Sequence, residues 1–285
     1  MPEAWLGIET VAQQLGISAA TLRSWEYRYG LARSQEAPGR HRRYSTADVA
    51  RLAAMRELIR NGMPAAQAAA LITAGPATRP QFAALAGRLR AAADVMNAGY
   101  IAAIVQAALL RYGTVLAWKE IITPVLIEAG TRWQQHGDGV DREHVLSGTT
   151  DAVLRAHAHY TLESGPGGPP VLLLAAPGER HTLPLTALVA ALAERGTVAV
   201  ALAELPAVDL RNALGRLQPR KAVLWARSRE TASLATLGSL MQEGRRVYAA
   251  GPGWQAAALP AGVRHVATLA AALRALGPGV RRQAR

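Results

Sequence analysis

Residues 171–181 read VLLLAAPGERH. Six consecutive apolar residues closed by Pro177 and Gly178 have the length and punctuation of a strand buried on both faces. Working outward, the pattern recurs downstream as VAVALA (198–203), AVLWA (222–226) and RVYAA (246–250), each followed by a segment of helical period. Strand and helix alternating in this way predict a doubly wound parallel sheet over residues 170–277. His181 lies five residues beyond Ala176, in the loop leaving the carboxyl end of the first strand, where ligands of open α/β sheets bind.

Glu179, two residues before His181, is placed to accept one ring N–H of the imidazole. That would fix the tautomer and raise the basicity of the other nitrogen, as outer partners do for metal-bound histidines. Such a pair suits a borderline metal such as cobalt, while Glu-x-His in a loop is also a common surface feature. The first strand is followed by neither G-x-G-x-x-G nor G-x-x-x-x-G-K-[ST], which disfavours a dinucleotide or P-loop nucleotide. The acids that a receiver-type phosphorylation site clusters at strand ends are missing. What remains is a ligand that uses a histidine.

Upstream, Gly75 to Pro80 and Gly165 to Pro170 punctuate the chain where neither helix nor strand can continue. They leave residues 1–75 as short helices and residues 81–163 as a purely helical segment, expected to be a bundle. That segment contains RWQQHGDGVDREH (132–144), with Trp133 ten residues before Glu143 and eleven before His144. With His181 it points to a flat cofactor held between a helical lid and an α/β base.

The amino-terminal segment has helix-turn-helix grammar. Ile8 to Leu15 and Ala19 to Arg28 are joined by Gly16-Ile17-Ser18, where glycine allows the turn and Ser18 caps the second helix. That helix is expected to present Thr21, Arg23, Ser24 and Arg28 outward while Leu22 and Trp25 face its partner, as for a helix in the major groove. Arg40, His41, Arg42, Arg43 and Tyr44 follow as a short run suited to neutralising phosphates. Ser45 to Asp48 reads as a capping box starting a third helix, which Gly62 stops.

The net charge of +12 is carried by arginine, Lys119 and Lys221 being the only lysines, and points either to a polyanionic partner or to the arginine codons of a GC-rich genome. Half the residues are apolar, enough for several cores. The absence of cysteine removes disulfides and thiolate metal sites. No run of 18 apolar residues is free of charge and no signal pattern opens the chain, so the expected location is cytoplasmic, with no membrane partner.

VAQQLGISAATLRSWEYRYGL, GRHRRYSTADVARLAAM and NGMPAAQAAAL, together about residues 5–73, resemble the winged helix-turn-helix of MerR-family transcription regulators. The resemblance implies a homodimer on inverted-repeat duplex DNA, with a wing around Arg40 to Tyr44. Residues 81–277 resemble the helical cap and cobalamin-binding domain of photoreceptor repressors of the CarH/LitR type. There the W-x9-EH motif, matched by Trp133, Glu143 and His144, covers the upper corrin face. An acidic-x-His motif supplies the lower axial ligand of cobalt, here His181 with Glu179 behind it. The resemblance implies a repressor, not an enzyme, that binds adenosylcobalamin and assembles as a tetramer on its operator until light releases it.

Several positions depart from that pattern. Pro184 stands where a glycine is expected three residues after His181. The third strand ends Leu224-Trp225-Ala226-Arg227 in place of a serine motif, and Ala250-Gly251-Pro252 keeps one glycine of two, leaving Gly251 as the cofactor-side residue. These changes fall along the channel for the cofactor's nucleotide tail. Gln134 replaces the histidine that captures cobalt after photolysis, and His136 points elsewhere on a helix. A domain that binds no corrinoid and serves as an interaction module, or that takes another tetrapyrrole such as a bilin, is the alternative.

Overall fold

In the computed structural model of the chain, residues 5–31, 43–73, 78–162, 168–255 and 257–277 are described. The architecture is α plus α/β, and the chain divides into two compact units, residues 1–153 and 154–285.

The first unit opens with β1 (Leu6–Gly7), α1 (Ile8–Leu15), α2 (Ala19–Tyr29), β2 (Arg43–Tyr44), α3 (Thr46–Arg60) and α4 (Ala65–Thr73). Gly16 closes α1 in the left-handed region at φ +58°, and the Ser18 hydroxyl accepts the Thr21 N–H at 3.0 Å. Ser45 and Asp48 form the expected capping box, each side chain accepting the other's main-chain N–H at 3.2 and 3.0 Å. β1 and β2 pair antiparallel, Leu6 opposite Tyr44. Val11, Leu15, Leu22, Leu31, Leu52, Met55 and Leu58 form the core of this head.

The helical segment follows as α5 (Arg79–Asp94), α6 (Ala98–Ala117), a π-helical turn (Trp118–Ile122), α7 (Thr123–His136) and α8 (Val140–Thr161). Gly113, at φ 71° and ψ 164°, breaks α6 internally. Pro124 has no N–H to give to the Glu120 carbonyl, and the wider π turn lies directly before it. Ala98–Trp133 is long and apolar enough to cross a membrane by length and composition; half of its most apolar window is buried, and Ile101, Ile104, Ile121 and Ile122 are core residues. α3 and α4 pack on α6, and Arg111 donates to the Ala70 carbonyl at 2.7 Å.

The second unit holds the end of α8 and then β3 (Val171–Ala175), α9 (Leu183–Ala193), β4 (Ala199–Leu202), α10 (Ala207–Leu217), β5 (Lys221–Trp225), α11 (Leu234–Met241), β6 (Arg246–Ala250), β7 (Arg264–Val266) and α12 (Leu269–Leu276). All five strands run parallel in the order β4-β3-β5-β6-β7. β7 is added between the fourth strand read from the sequence and the helix expected after it, here α12; three residues carry too little periodicity to be seen. Leu172, Leu173 and Leu174 are at most 1% exposed, and burial of such side chains contributes roughly 2 kcal/mol each. His157 of α8, 5% exposed, bonds Glu194 at the end of α9 at 2.8 Å. Strand order reverses between β3 and β5, which opens a crevice beyond their carboxyl ends.

Candidate functional site

The loop after β3 places Glu179 and His181 at that crevice. The Glu179 side chain is 2% exposed and accepts four hydrogen bonds: from the His181 N–H at 2.8 Å, His181 Nδ1 at 2.9 Å, the Arg227 N–H at 2.7 Å and Thr231 Oγ1 at 3.1 Å. Burial pushes its carboxyl pKa up, but the bonds from Arg227, His181 and Thr231 together outweigh that and hold it below the ordinary value. With Nδ1 on the carboxylate, the Nε2 of an imidazole that is 58% exposed is left with its lone pair outward. An imidazole held in this way can offer Nε2 to a metal ion. Among the described residues, no group of three or more His, Asp or Glu forms a metal cage.

Trp225, at the end of β5 and level with Ala175 of β3, donates its indole N–H to the His181 carbonyl at 2.8 Å. Its ring leans over Gly251, where an added Cβ would stand 2.9 Å from the ring and 2.3 Å from the Ala226 carbonyl oxygen. Gly251 also has φ +100°, a conformation that L side chains rarely adopt. The space in front of Gly251 is thus filled by indole. Pro184 falls in the first turn of α9, where its missing N–H costs nothing. The indole of Trp225 thus stands beside His181 on the side of the crevice where the resemblance places the cofactor's nucleotide tail.

Trp133 is in the last turn of α7, Glu143 ends the first turn of α8 and His144 opens the next, the two helices being joined through Gly137 and Gly139 at φ +71° and +90°. Trp133 is 51% exposed and the His144 side chain 73%; His144 Nε2 stands 3.8 Å from the Glu143 carboxylate. The three residues therefore share one helix junction with a large open aromatic face. Beside it, a cavity of about 30 Å³ is lined by Asp94, Glu128, Arg132 and Arg142, with Arg132 and Arg142 on Asp94 at 3.1 and 3.6 Å. The side chains of Gln134 and His136 lie outside those described.

In the amino-terminal head, Ser18, Arg23 and Arg28 are exposed and Thr21 and Ser24 partly so, while Leu22 is buried and Trp25 half-buried. Arg23 lies 3.8 Å from Glu9. Arg43 is exposed, and Arg40, His41 and Arg42 lie outside the described residues. Tyr44 departs from its expected phosphate-facing role: it is 0% exposed, and its hydroxyl donates to Glu26 of α2. An aromatic ring in the strand opposite Leu6 buries more apolar surface inside than outside, and the acid on α2 satisfies its hydroxyl. Tyr27 is a surface residue that sequence reading passed over. It is 92% exposed one turn beyond Arg23, and its polar-plus-apolar neighbourhood gives no periodic cue.

Residues 6–74, the amino-terminal head, match the model of the MerR HTH family of regulatory proteins. Over 236 residues the chain is 25% identical to the HTH-type transcriptional repressor CarH of Myxococcus xanthus, covering 77% of this chain and 78% of that protein. It is 29% identical over 218 residues to CarA of the same organism, covering 75% and 74%. The regulator MlrA of Salmonella typhimurium matches over 73 residues at 33% identity, 26% of this chain and 30% of MlrA. Among solved structures, the monomethylamine corrinoid protein of Methanosarcina barkeri aligns with a TM-score of 0.45 at 14% identity, covering 66% of this chain and 95% of that one.

Proposed function

We propose that the chain is a cytoplasmic transcription repressor that binds adenosylcobalamin and leaves its operator when light changes its oligomeric state. The observation that carries the ligand is the Glu179–His181 pair at the crevice between β3 and β5. Similarity to two repressors over three quarters of the chain supports the regulatory reading. When bound, the group supplies a photolabile cobalt–carbon bond. Glu179 orients the His181 ring and keeps Nε2 free for the metal. The resemblance assigns Trp133, Glu143 and His144 to the same ligand, with Trp133 offering an apolar face and Glu143 and His144 polar edges. In energetic terms the ligand biases an assembly equilibrium by binding one state better than another. Loss of the assembly then removes the effective concentration that joined heads provide on an inverted repeat.

The deciding experiment is the ultraviolet–visible spectrum of protein mixed with adenosylcobalamin in the dark, freed of unbound ligand and then illuminated. The cobalt chromophore is retained, shifts on illumination, and is lost in His181→Ala; equal retention by that variant would sink the assignment. Elution volume before and after green light reads the assembly step separately.

One observation favours a second reading, a domain that no longer takes a cobalamin with its nucleotide tail and acts as an interaction module or holds a bilin. That observation is the indole of Trp225 over Gly251. The Trp225→Ala variant separates the two, since it gains cobalamin retention only if the indole competes with the tail.

A further inference from the structure

The edge of the sheet opposite His181 has a different chemistry. In a parallel α/β unit the helices end, and the strands begin, along one edge. Here the turns before β5 and β6 bring Arg220, Lys221, Arg245 and Arg246 to the rim of an open groove of about 700 Å³, floored by Gly215, Gln218 and Pro219. Lys221 and Arg246 are paired directly across the two strands, and the Arg246 N–H bonds the Arg220 carbonyl at 3.0 Å, so three of the cations are fixed in register by main chain. Lys221 is further held by the Leu276 and Gly277 carbonyls at 2.8 and 3.2 Å. Among the described residues, no acidic side chain lines the groove.

Cations at helix carboxyl ends are ordinarily explained by the helix dipole. α10 and α12 both end here, and two such ends supply about one negative charge in total. Arg245 also donates to the Gln242 carbonyl at 2.8 Å, and about one negative charge is too little for Arg220, Lys221 and Arg246 together. Burial chiefly, and after it the repulsion of the neighbouring Arg246 charge, push the Lys221 ammonium below its usual range. An anion in the groove relieves that repulsion.

The groove lacks aromatic side chains, and it lies away from the crevice where α/β sheets take small ligands. It is an array of charges along a rim, with Arg220 and Arg246 exposed. We infer that this basic rim of the second unit is a second, sequence-independent DNA contact, in which Arg220, Lys221, Arg245 and Arg246 neutralise phosphates of duplex DNA outside the site read by the amino-terminal head. The inference is independent of what ligand His181 holds.

The test uses the full chain and a fluorescent duplex of unrelated sequence, with affinity measured by anisotropy across a salt series. Replacing Arg220 and Arg246 together by alanine lowers the slope of log K against log salt by about 1.8, two phosphate contacts at about 0.9 each. The corresponding lysine pair keeps the parent slope, because it keeps the charges. Circular dichroism checks that both variants fold. An alanine pair with the parent's slope overturns the proposal. So does an equal loss per charge from Arg229→Ala, an exposed residue in the loop after β5. Groove-dependent binding of ATP without any change in slope overturns it as well, since the groove would then belong to a small phosphate ligand.

Discussion

The carboxylate of Glu179 holds His181 twice, by the main-chain N–H at 2.8 Å and by ring Nδ1 at 2.9 Å, while two further donors 48 and 52 residues downstream bond its other oxygen. The acid is therefore a staple between the loops after β3 and β5 as well as the orienting partner of an imidazole. Glu179→Ala leaves buried donors without an acceptor, and the expected loss is about 3 kcal/mol of unfolding free energy in urea. A loss below about 1 kcal/mol would mean that water replaces the carboxylate at no cost.

The same bonds set a pH dependence. The folded-state pKa of Glu179 lies below its ordinary value of 4.5, so the carboxylate's contribution is fully present above that value. It is lost as pH falls through the folded pKa, where the acid protonates and stops accepting. The stability gap between the parent and Glu179→Gln, which cannot titrate, is thus constant from neutrality down to about pH 5 and narrows in more acidic solution. Parallel urea titrations along a pH series measure it; a gap that widens on acidification contradicts the network.

Gly251→Ala tests the tight turn after β6. The new Cβ would stand 2.3 Å from the Ala226 carbonyl, against backbone that cannot swing aside, at a φ of +100°. Backbone strain and overpacking together cost about 3 kcal/mol or more. Thermal unfolding reads the loss, and an unchanged midpoint would show that the turn relaxes freely.

In the amino-terminal head, Arg43→Ala weakens binding to every duplex alike and lowers the salt slope by about 0.9, as for one lost phosphate contact. Arg23→Ala, on the exposed face of α2, also relaxes sequence preference by about 1–3 kcal/mol at one base pair. Anisotropy with operator and mutated-operator duplexes separates the two; identical behaviour of both variants would place Arg23 on the backbone.

Much of this arrangement is legible in the sequence because it rests on local rules. Gly16, Ser18, the Ser45–Asp48 box and the apolar runs at 171–176 and 246–250 each act over fewer than about eight residues, within reach of turn chemistry and period. The placement of His181 follows from strand polarity alone. Other features depend on contacts that spacing does not encode. Thr231 and the Arg227 N–H reach Glu179 only because β3 and β5 are neighbours, and Tyr44 turns inward because Glu26 lies across from it. The basic rim is scattered over two loops more than twenty residues apart and gathers only when the strands align.

The Tyr44–Glu26 bond has a consequence for how the head meets DNA. Tyr44 lies in β2, at the edge of the expected wing, and Glu26 on α2, the helix that the resemblance places in the major groove. Linked through a fully buried ring, β2 and α2 are held together before any duplex arrives, so little freedom between these two elements remains to be surrendered on docking. The head then behaves as a rigid gauge of groove geometry. A duplex whose spacing between major groove and adjacent backbone differs from that built into the protein must itself bend, and selectivity arises from the stiffness of the DNA as well as from the bases touched.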